Sequence, residues 1–268
     1  MKLDARQRAM LAEMGIWLPA PPASKAAPRP APPHSAPPAR RTAPPRPQPP
    51  ADPTPAPAAL LAPDTEARAA RIAQLDWDAL CAEAQQCRAC ALCQQRKNVA
   101  FEGGSRAARW LIVGEAPGEQ EDLQGAPFVG PAGQLLDAML AALHLSRESN
   151  ETHKTVYIAN VLKCRPPGNR NPLPEEVALC APFLQRQMAL LAPRVILALG
   201  RFAAQSLLQT NESIGRLRGR VHDWHGTPLI VSYHPAYLLR SPHAKAHAWH
   251  DLCLAQQAFL ERGAEVAS

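Results

Sequence analysis

The sequence predicts an α/β protein of three layers, α/β/α, with a central four-stranded parallel sheet and a disordered Pro-rich N-terminal tail. Apolar runs of strand length alternate with helical stretches, which is typical of a parallel sheet covered by helices. The runs lack the strict apolar–polar alternation of strands that face water on one side, so both faces of the sheet are expected to be buried. The tail is predicted from the proline content, because eighteen of the thirty prolines fall between Pro19 and Pro63.

The first 70 residues are predicted to lie outside the domain. Residues 1–18 place apolar side chains at near-helical spacing, which predicts a short amphipathic helix. Such a helix is marginal alone in water, so it either frays or docks on a partner protein. Residues 19–70 have too few aromatic and branched apolar residues to form a core, and they are predicted to be a disordered Pro/Ala-rich linker. The domain is expected to occupy residues 71–268.

Four apolar runs are predicted to be the strands. They are ARWLIVG (108–114), TVYIANVL (155–162), RVILALG (194–200) and TPLIVSYH (227–234). Helices are predicted between and after them, over residues 133–145, 172–192, 200–209 and 247–263.

One site is expected where the strands end. In parallel sheets of this kind the ligand binds beyond the carboxyl ends of the strands. Gly114, Asn160, Gly200 and His234 all fall at those ends. We therefore expect a single site built from four strand ends.

The charge and the absence of targeting signals narrow the class of protein. The formal net charge of +6 favours an anionic partner such as nucleic acid. There is no apolar window of about 18 residues, and the charged N-terminus does not resemble a signal peptide, so no membrane association is expected. A cytoplasmic protein is expected, and in that compartment grouped cysteines usually indicate metal or redox chemistry.

The cysteines suggest a metal site. CRACALC (87–93) contains two overlapping C-x-x-C pairs, Cys87 with Cys90 and Cys90 with Cys93, and Cys164 and Cys180 follow further along the chain. Four thiolates are what an iron–sulfur cluster or a structural zinc ion requires. Spacing alone leaves open which metal binds and whether the cysteines are instead buried or redox-active.

Five motifs occur along the chain. The loop GEAPGEQED (114–122) lacks the glycine and lysine pattern of phosphate-binding and dinucleotide-binding loops. The other motifs are CRACALCQQR (87–96), GAPFVGPAGQLLD (125–137), NVLKCRPPGNRNPLP (160–174) and YHPAYLLR (233–240). Together and in this order, the five motifs resemble those of the family 4 uracil-DNA glycosylases, the iron–sulfur branch of the uracil-DNA glycosylase superfamily.

The resemblance implies a DNA repair enzyme and a cofactor. Such an enzyme flips uracil out of DNA and hydrolyses its N-glycosidic bond, leaving an abasic site. The family's 4Fe–4S cluster would be held here by Cys87, Cys90, Cys164 and Cys180, with Cys93 as a spare cysteine and zinc as the alternative metal. The cluster is expected to pin the N-terminal segment and the 164–180 loop to the sheet without taking part in redox chemistry.

The resemblance also assigns the base pocket. It implies that His234 hydrogen-bonds the uracil O2, where negative charge develops as the base departs. Phe128 would be the ring on which the flipped base stacks. Asn160 would read the uracil edge, because its amide can donate to O4 and accept from N3–H. Gly114 and Ala116 are expected in the same pocket wall.

Glu115 has two possible roles. In the family 1 branch the corresponding motif has an Asp that orients the attacking water, and Ala116 stands at that position here. Excision is therefore expected to depend on leaving-group stabilisation, with the water held by the backbone or by Glu115. The alternative is that Glu115 fixes the loop by capping nearby N–H groups.

The partner implied by the resemblance is uracil-containing DNA, bound by a monomer. Superfamily members push a side chain into the gap left by the flipped base, and Leu238, four residues beyond His234, occupies that position here. Phosphate contacts are expected from a set of arginines. These are Arg165, Arg170, Arg216, Arg218 and Arg240.

Two alternative functions remain at this point. One is a non-catalytic iron–sulfur protein of the same fold that associates with DNA or with a polymerase. Glu115, Phe128, Asn160 and His234 together favour the enzyme instead. The other is the branch that crosslinks to uracil-DNA through a histidine in an added basic loop, KRRIH. The corresponding region here reads NESIGRLRGR, which lacks that histidine.

Overall fold

The structure, a computed structural model, describes residues 63–265. The helix predicted over residues 1–18 lies outside the described residues, as does the predicted linker up to residue 62. The sheet has five strands: β1 (Trp110–Gly114), β2 (Val156–Asn160), β3 (Val195–Leu199), β4 (Val221–Trp224) and β5 (Thr227–Ser232). Their spatial order is β2-β1-β3-β5-β4.

The four predicted strands are confirmed, but the predicted number is wrong. β2, β1, β3 and β5 pair in parallel, whereas β4 pairs with β5 in antiparallel orientation. β4 reads VHDW, and its side chains alternate between exposed and half-buried positions. An edge strand of this kind lacks the apolar run that identified the others, so the search for apolar runs missed it.

The four predicted helices are present with bounds that differ by a few residues, and the described residues form five further α-helices. They are α1 (Pro63–Ile72), α2 (Trp77–Gln86), α3 (Glu119–Gln124), α4 (Pro131–Ala141), α5 (Pro174–Leu191), α6 (Arg201–Leu208), α7 (Ile214–Leu217), α8 (Pro235–Arg240) and α9 (Lys245–Glu265). No helix within residues 63–265 is long and apolar enough to cross a membrane.

The core lies on both faces of the sheet. Every residue of β1, β2 and β3 is buried, and successive side chains on a strand point to opposite faces. The face packed against α4 and α9 carries Ile112, Ile158 and Leu197. The face packed against α5 and α6 carries Leu111, Tyr157 and Ile196. This two-sided burial explains why the strands read as continuous apolar runs.

The N-terminal boundary of the domain differs from the prediction. α1 begins at Pro63, ahead of the predicted boundary at residue 70, and proline is favoured at the first position of a helix. Ile72 and Leu80 are fully buried in a third cluster with Phe183 of α5. The Arg68 guanidinium donates a hydrogen bond of 2.8 Å to the Leu179 carbonyl. Residues 63–70 therefore pack as part of the domain.

Candidate active site

A pocket opens at the carboxyl edge of the sheet, where the sequence predicted one. The first residue after β1, the last residue of β2, and the loops after β3 and β5 all line it. Its lining includes Glu115, Phe128, Asn160, Gly200 and His234. Gly114 and Asn160 are register partners at the ends of β1 and β2. The strand register therefore brings the predicted pocket residues together.

Asn160 is buried and its side-chain oxygen has no hydrogen-bond partner. Only 1% of the residue is exposed, yet Oδ1 is unpaired among the described residues. An unpaired buried carbonyl costs about 1–3 kcal/mol, and such a group is retained when a ligand satisfies it. The backbone carbonyl of Asn160 accepts a hydrogen bond of 2.6 Å from the Lys163 ammonium, which fixes the strand end.

Gly114 allows the pocket to be narrow. A Cβ at this position would overlap Asn160 Oδ1 and would lie 2.6 Å from Cζ of Phe128. Only glycine therefore lets the amide and the aromatic ring approach the end of β1 so closely. Phe128 is buried, and its ring centroid lies 5.3 Å from that of His234, with 30° between the ring planes.

His234 ends the β5 segment and caps α8. Its Nδ1 accepts a hydrogen bond of 3.2 Å from the Ala236 N–H. Burial lowers the pKa of His234 to about 4, against a smaller raising effect of Glu121. The ring is therefore neutral at pH 7, and because Nδ1 accepts, the hydrogen-bond pattern assigns the proton to Nε2. His234 can thus donate one hydrogen bond into the pocket without carrying a charge.

Glu115 is half-buried beside the pocket. Burial raises the pKa of its carboxyl group, and the charge of Arg201 opposes this rise. Its backbone carbonyl accepts a hydrogen bond of 3.0 Å from the Leu162 N–H. Within residues 63–265 no donor bonds to the carboxylate itself.

Two other acidic residues brace the loop. Glu121 accepts hydrogen bonds from the N–H groups of Gly118, Val129 and Gly130 at 2.9–3.0 Å. Asp122 is buried and accepts a bond of 2.9 Å from the Lys97 N–H. Glu121 and Asp122 therefore organise backbone N–H groups.

Leu238 does not lie where the prediction placed it. It is fully buried and packs with Ala244 and Ala248, so its side chain does not project toward DNA. Its two neighbours on α8, Tyr237 and Leu239, do not share this burial and are 39% and 46% exposed. Counting four residues from His234 ignored the helical phase of this segment.

The five arginines predicted to bind phosphate differ in their exposure and in their ion pairs. Arg218 is only 14% exposed in its side chain and forms an ion pair of 2.8 Å with the fully buried Asp251, so the prediction that it contacts DNA is wrong. Arg170 lines the pocket while pairing with Glu176 at 2.6 Å. Arg165 is half-buried and lies 3.6 Å from Glu119. Arg216 and Arg240 are exposed.

The sequence search missed Arg201, an exposed residue that lines the pocket near Glu115. It also missed the buried Lys163, which joins the end of β2 to α5 through the side chain of Gln187 at 2.7 Å. The positions of both residues in the sequence could have identified them. Arg201 follows the glycine at the end of β3, and Lys163 lies in the NVLKC motif.

The cysteines line a separate cavity between α5 and the N-terminal segment of the described domain, residues 84–96. Cys87, Cys90, Cys93, Cys164 and Cys180 all contribute to it. Among the described residues, no three His, Cys, Asp or Glu side chains lie close enough to hold one metal ion.

Positive charge surrounds the cysteine cavity. Arg68 donates a hydrogen bond of 3.4 Å to Cys87 Sγ, and Arg96 donates one of 3.1 Å to Cys164 Sγ. Without a metal, burial raises the pKa of Cys180 to about 12. One buried and several half-buried thiols beside cations form a donor set of the kind that binds soft metals as thiolates.

The pocket at the sheet edge suits a flat, uncharged, hydrogen-bonding ring. It offers an aromatic face, an unpaired amide oxygen and a neutral imidazole donor. It lacks the glycine-rich backbone cradle that phosphates require. The fold and the site together define an α/β protein of three layers with a binding site for a heterocyclic base.

Comparison with known proteins gives the family. The family model described as the uracil DNA glycosylase superfamily matches residues 101–253. The type-4 uracil-DNA glycosylase of Archaeoglobus fulgidus is 48% identical over 147 residues, covering 52% of this chain and 71% of that relative. The type-4 enzymes of Thermotoga maritima and Saccharolobus solfataricus are 46% and 42% identical, covering 54% and 55% of this chain and 74% and 69% of those relatives. The chain belongs to family 4 of the uracil-DNA glycosylase superfamily, as its motifs predicted.

Proposed function

We propose that this protein removes uracil from DNA by hydrolysing the N-glycosidic bond, leaving an abasic site. The observation that carries the proposal is the buried, unpaired Oδ1 of Asn160. The N3–H of uracil can donate to this oxygen, whereas N3 of cytosine is an acceptor and would be repelled. The pocket therefore satisfies uracil and leaves cytosine unpaired, which is a strong form of discrimination.

His234 stabilises the departing base. As the glycosidic bond breaks, negative charge develops on the base and its carbonyl oxygens, and a donor aimed at that charge lowers the barrier. The Nε2–H of His234 is available for this role because Nδ1 is held by the Ala236 N–H. Phe128 supplies the stacking surface, and its tilt of 30° to His234 leaves the two rings on adjoining walls.

Glu115 is proposed to hold the attacking water. Its carboxylate reaches the pocket and accepts no hydrogen bond from a described residue, so it has acceptor capacity free for water. Ala116 cannot serve in that role because its side chain is a methyl group. Arg201 lies near enough to favour the ionised carboxylate that such a role needs.

DNA binding is proposed for the exposed cations and apolar side chains around the pocket. Arg201 and Arg240 are exposed lining residues that can reach phosphates. Leu239, rather than the buried Leu238, is the side chain available to enter the gap left by the flipped base. Duplex insertion by an apolar side chain compensates for the loss of base stacking.

We further propose that Cys87, Cys90, Cys164 and Cys180 hold a 4Fe–4S cluster. These residues come from three parts of the chain and line one cavity with cations beside it. A cluster is larger than one ion, so its ligands need not converge as zinc ligands do. When bound, the cluster supplies a covalent cross-link between the N-terminal segment and α5. A cytoplasmic location, where reduced thiols are maintained, and a monomeric state are also proposed.

An oligonucleotide excision assay tests the function. Purified protein is incubated with a uracil-containing oligonucleotide, followed by alkali to cleave abasic sites. Cleavage is expected with the wild type. Asn160→Leu is expected to lose about 100-fold or more of the rate, because the base loses its recognition partner. Its unfolding temperature should be equal or higher, since an unpaired buried carbonyl has been removed.

Asn211→Leu provides the control, because Asn211 is exposed and lies outside this pocket. It should excise uracil at the wild-type rate. A cluster-loaded wild type that produces no abasic sites would contradict the enzyme and favour the non-catalytic alternative. An Asn160→Leu variant that remains fully active would contradict the role given to the amide oxygen.

A further inference from the structure

The loop that carries Phe128 is held from both sides. On one side the Glu121 carboxylate accepts hydrogen bonds from the N–H groups of Val129 and Gly130. On the other side the Arg147 guanidinium donates to the carbonyls of Pro127 and Phe128, both at 2.8 Å. A carboxylate thus binds the donors of the loop while a guanidinium binds its acceptors.

The conformation of Phe128 requires such support. Its φ is +56°, in the left-handed region that bulky side chains avoid. A conformation of this kind costs on the order of 1–3 kcal/mol and persists only where the surroundings enforce it. Gly133 contributes, because a Cβ there would overlap the Phe128 carbonyl. The backbone strain lies at the residue whose ring forms the pocket wall.

Arg147 is itself firmly anchored. Its Nε donates a hydrogen bond of 2.7 Å to Asp137 of α4, and its side chain is only 18% exposed. The preceding residue, Ser146, forms a β-bridge with Thr155, directly before β2. Since β2 ends at Asn160, Arg147 ties the Phe128 loop to the strand that carries the amide of the pocket.

We propose that Arg147 is a positioning residue that sets the ring of Phe128 against the flipped base. The inference rests on the proposed function and extends it to a residue outside the pocket. Without the guanidinium, the buried carbonyls of Pro127 and Phe128 lose their donors, and the backbone is free to leave the left-handed region. The ring then moves relative to Asn160 and His234.

Single-turnover excision rates provide the first test. Arg147→Ala is expected to slow excision about 10- to 100-fold, the range that a small misplacement of a reacting group produces. Arg147→Lys keeps the charge but lacks the fork that reaches two carbonyls and Asp137, so an intermediate rate is expected. Arg106→Ala is the matched control. Arg106 donates hydrogen bonds of 2.8 Å to two carboxylates, and it does not line the pocket. It should change the rate by less than about twofold.

A double-mutant cycle separates positioning from stability. If Arg147 acts through Phe128, adding Arg147→Ala to Phe128→Ala should change the excision rate by less than about twofold. The loss of unfolding temperature caused by Arg147→Ala should persist in that background. A merely structural role would slow both backgrounds equally, and that result would overturn the proposal.

Hydrogen exchange gives a readout that does not depend on activity. The amides of Val129 and Gly130 should exchange faster in Arg147→Ala than in the wild type, and remain unchanged in Arg106→Ala. Unchanged exchange in Arg147→Ala would overturn the proposal even if the wild type excises no uracil. If Arg147→Ala does not fold, Arg147→Lys is compared in its place, and a wild-type rate with wild-type exchange would overturn the proposal.

Discussion

At the scale of single residues, two glutamates of one loop differ because of what surrounds each carboxylate. Glu121 accepts three backbone hydrogen bonds and is occupied by the loop. Glu115 is half-buried, and within residues 63–265 the charge that opposes the effect of burial on it is that of Arg201. Burial without hydrogen bonds raises a carboxyl pKa. Of these two glutamates, Glu121 is structural and Glu115 is poised to titrate.

The titration of Glu115 gives a prediction for the pH dependence of excision. The pKa of Glu115 lies above the ordinary value of 4.5, so the ionised form is lost first as the pH falls. The excision rate should decline on the acid side with an apparent pKa above 4.5. His234 stays neutral down to a pH of about 4 and so does not produce this decline. Rates measured between pH 4.5 and 8 test the expectation.

Glu115→Gln is the decisive variant. It should excise uracil slowly and show no acid-side decline. The raised pKa means that the folded state binds more protons than the unfolded state between pH 4.5 and the folded pKa, so Glu115 lowers stability as the pH rises through that window. Glu115→Gln should therefore unfold at a higher temperature at pH 7. An acid-side decline that persists in Glu115→Gln would contradict the assignment.

Residue types at strand ends could be predicted from the sequence, but the direction of side chains could not. Asn160 and His234 were found because each follows an apolar strand and lies in a recognisable motif. Leu238 was misplaced because a count from His234 does not fix the rotation of α8. Arg147 gave no signal, since its contacts join positions 127, 128 and 137, which only the fold brings together.

At the scale of elements, a buried ion pair joins α9 to the segment before β4 and to the end of β5. Asp251 is fully buried and accepts hydrogen bonds from Arg218 at 2.8 and 3.1 Å and from the Ser232 hydroxyl at 2.9 Å. Burial raises the pKa of Asp251, and the bonds from Ser232 and Arg218 oppose that rise. Ser232 is two residues before His234. The network therefore supports the strand end that presents the His234 imidazole to the pocket.

Arg218 and Arg240 should respond differently to substitution. Arg218→Met leaves a buried carboxylate without its cation and should destabilise the fold by about 3–5 kcal/mol. Arg240→Met should leave stability unchanged and weaken DNA binding, lowering the dependence of affinity on salt by about one phosphate contact. Thermal unfolding and oligonucleotide binding across a salt series measure both effects. A reduced salt dependence with unchanged stability in Arg218→Met would restore the original interpretation of Arg218 as a phosphate contact.

The elements that the sequence predicted are those whose burial leaves a continuous apolar run or an apolar stripe. The parallel strands are buried on both faces, and the long helices carry apolar stripes. β4 was missed because an edge strand with one neighbour needs little apolar character. α1 was missed because Pro63 reads as the end of the Pro-rich tail, although it begins a helix that packs on α5.

At the scale of the whole molecule, the N-terminal helices α1 and α2 meet the rest of the domain at the cysteine cavity. Cys87 and Cys90 follow α2, whereas Cys164 follows β2 and Cys180 lies within α5. The apolar cluster that α1 and α2 form with α5 includes the cysteines of this cavity. The resemblance predicted which cysteines belong together and which segments they would pin, and the fold places all four along one cavity.

A cluster at this place should therefore contribute to the stability of the whole domain. Cys180→Ser is expected to lose the visible absorbance and the iron, and to unfold about 10 °C below the wild type, as expected for loss of a cross-link that closes a long loop. Cys253→Ser is the control, because Cys253 is exposed on α9, and it should retain iron and stability. If the wild type carries zinc, the proposed cluster is wrong. If Cys180→Ser unfolds at the same temperature as the wild type, the proposed stabilising cross-link is wrong. The cavity is separate from the base pocket, so any Cys180→Ser protein that stays folded should still excise uracil. That result would show that the cofactor supports the fold and takes no part in the chemistry.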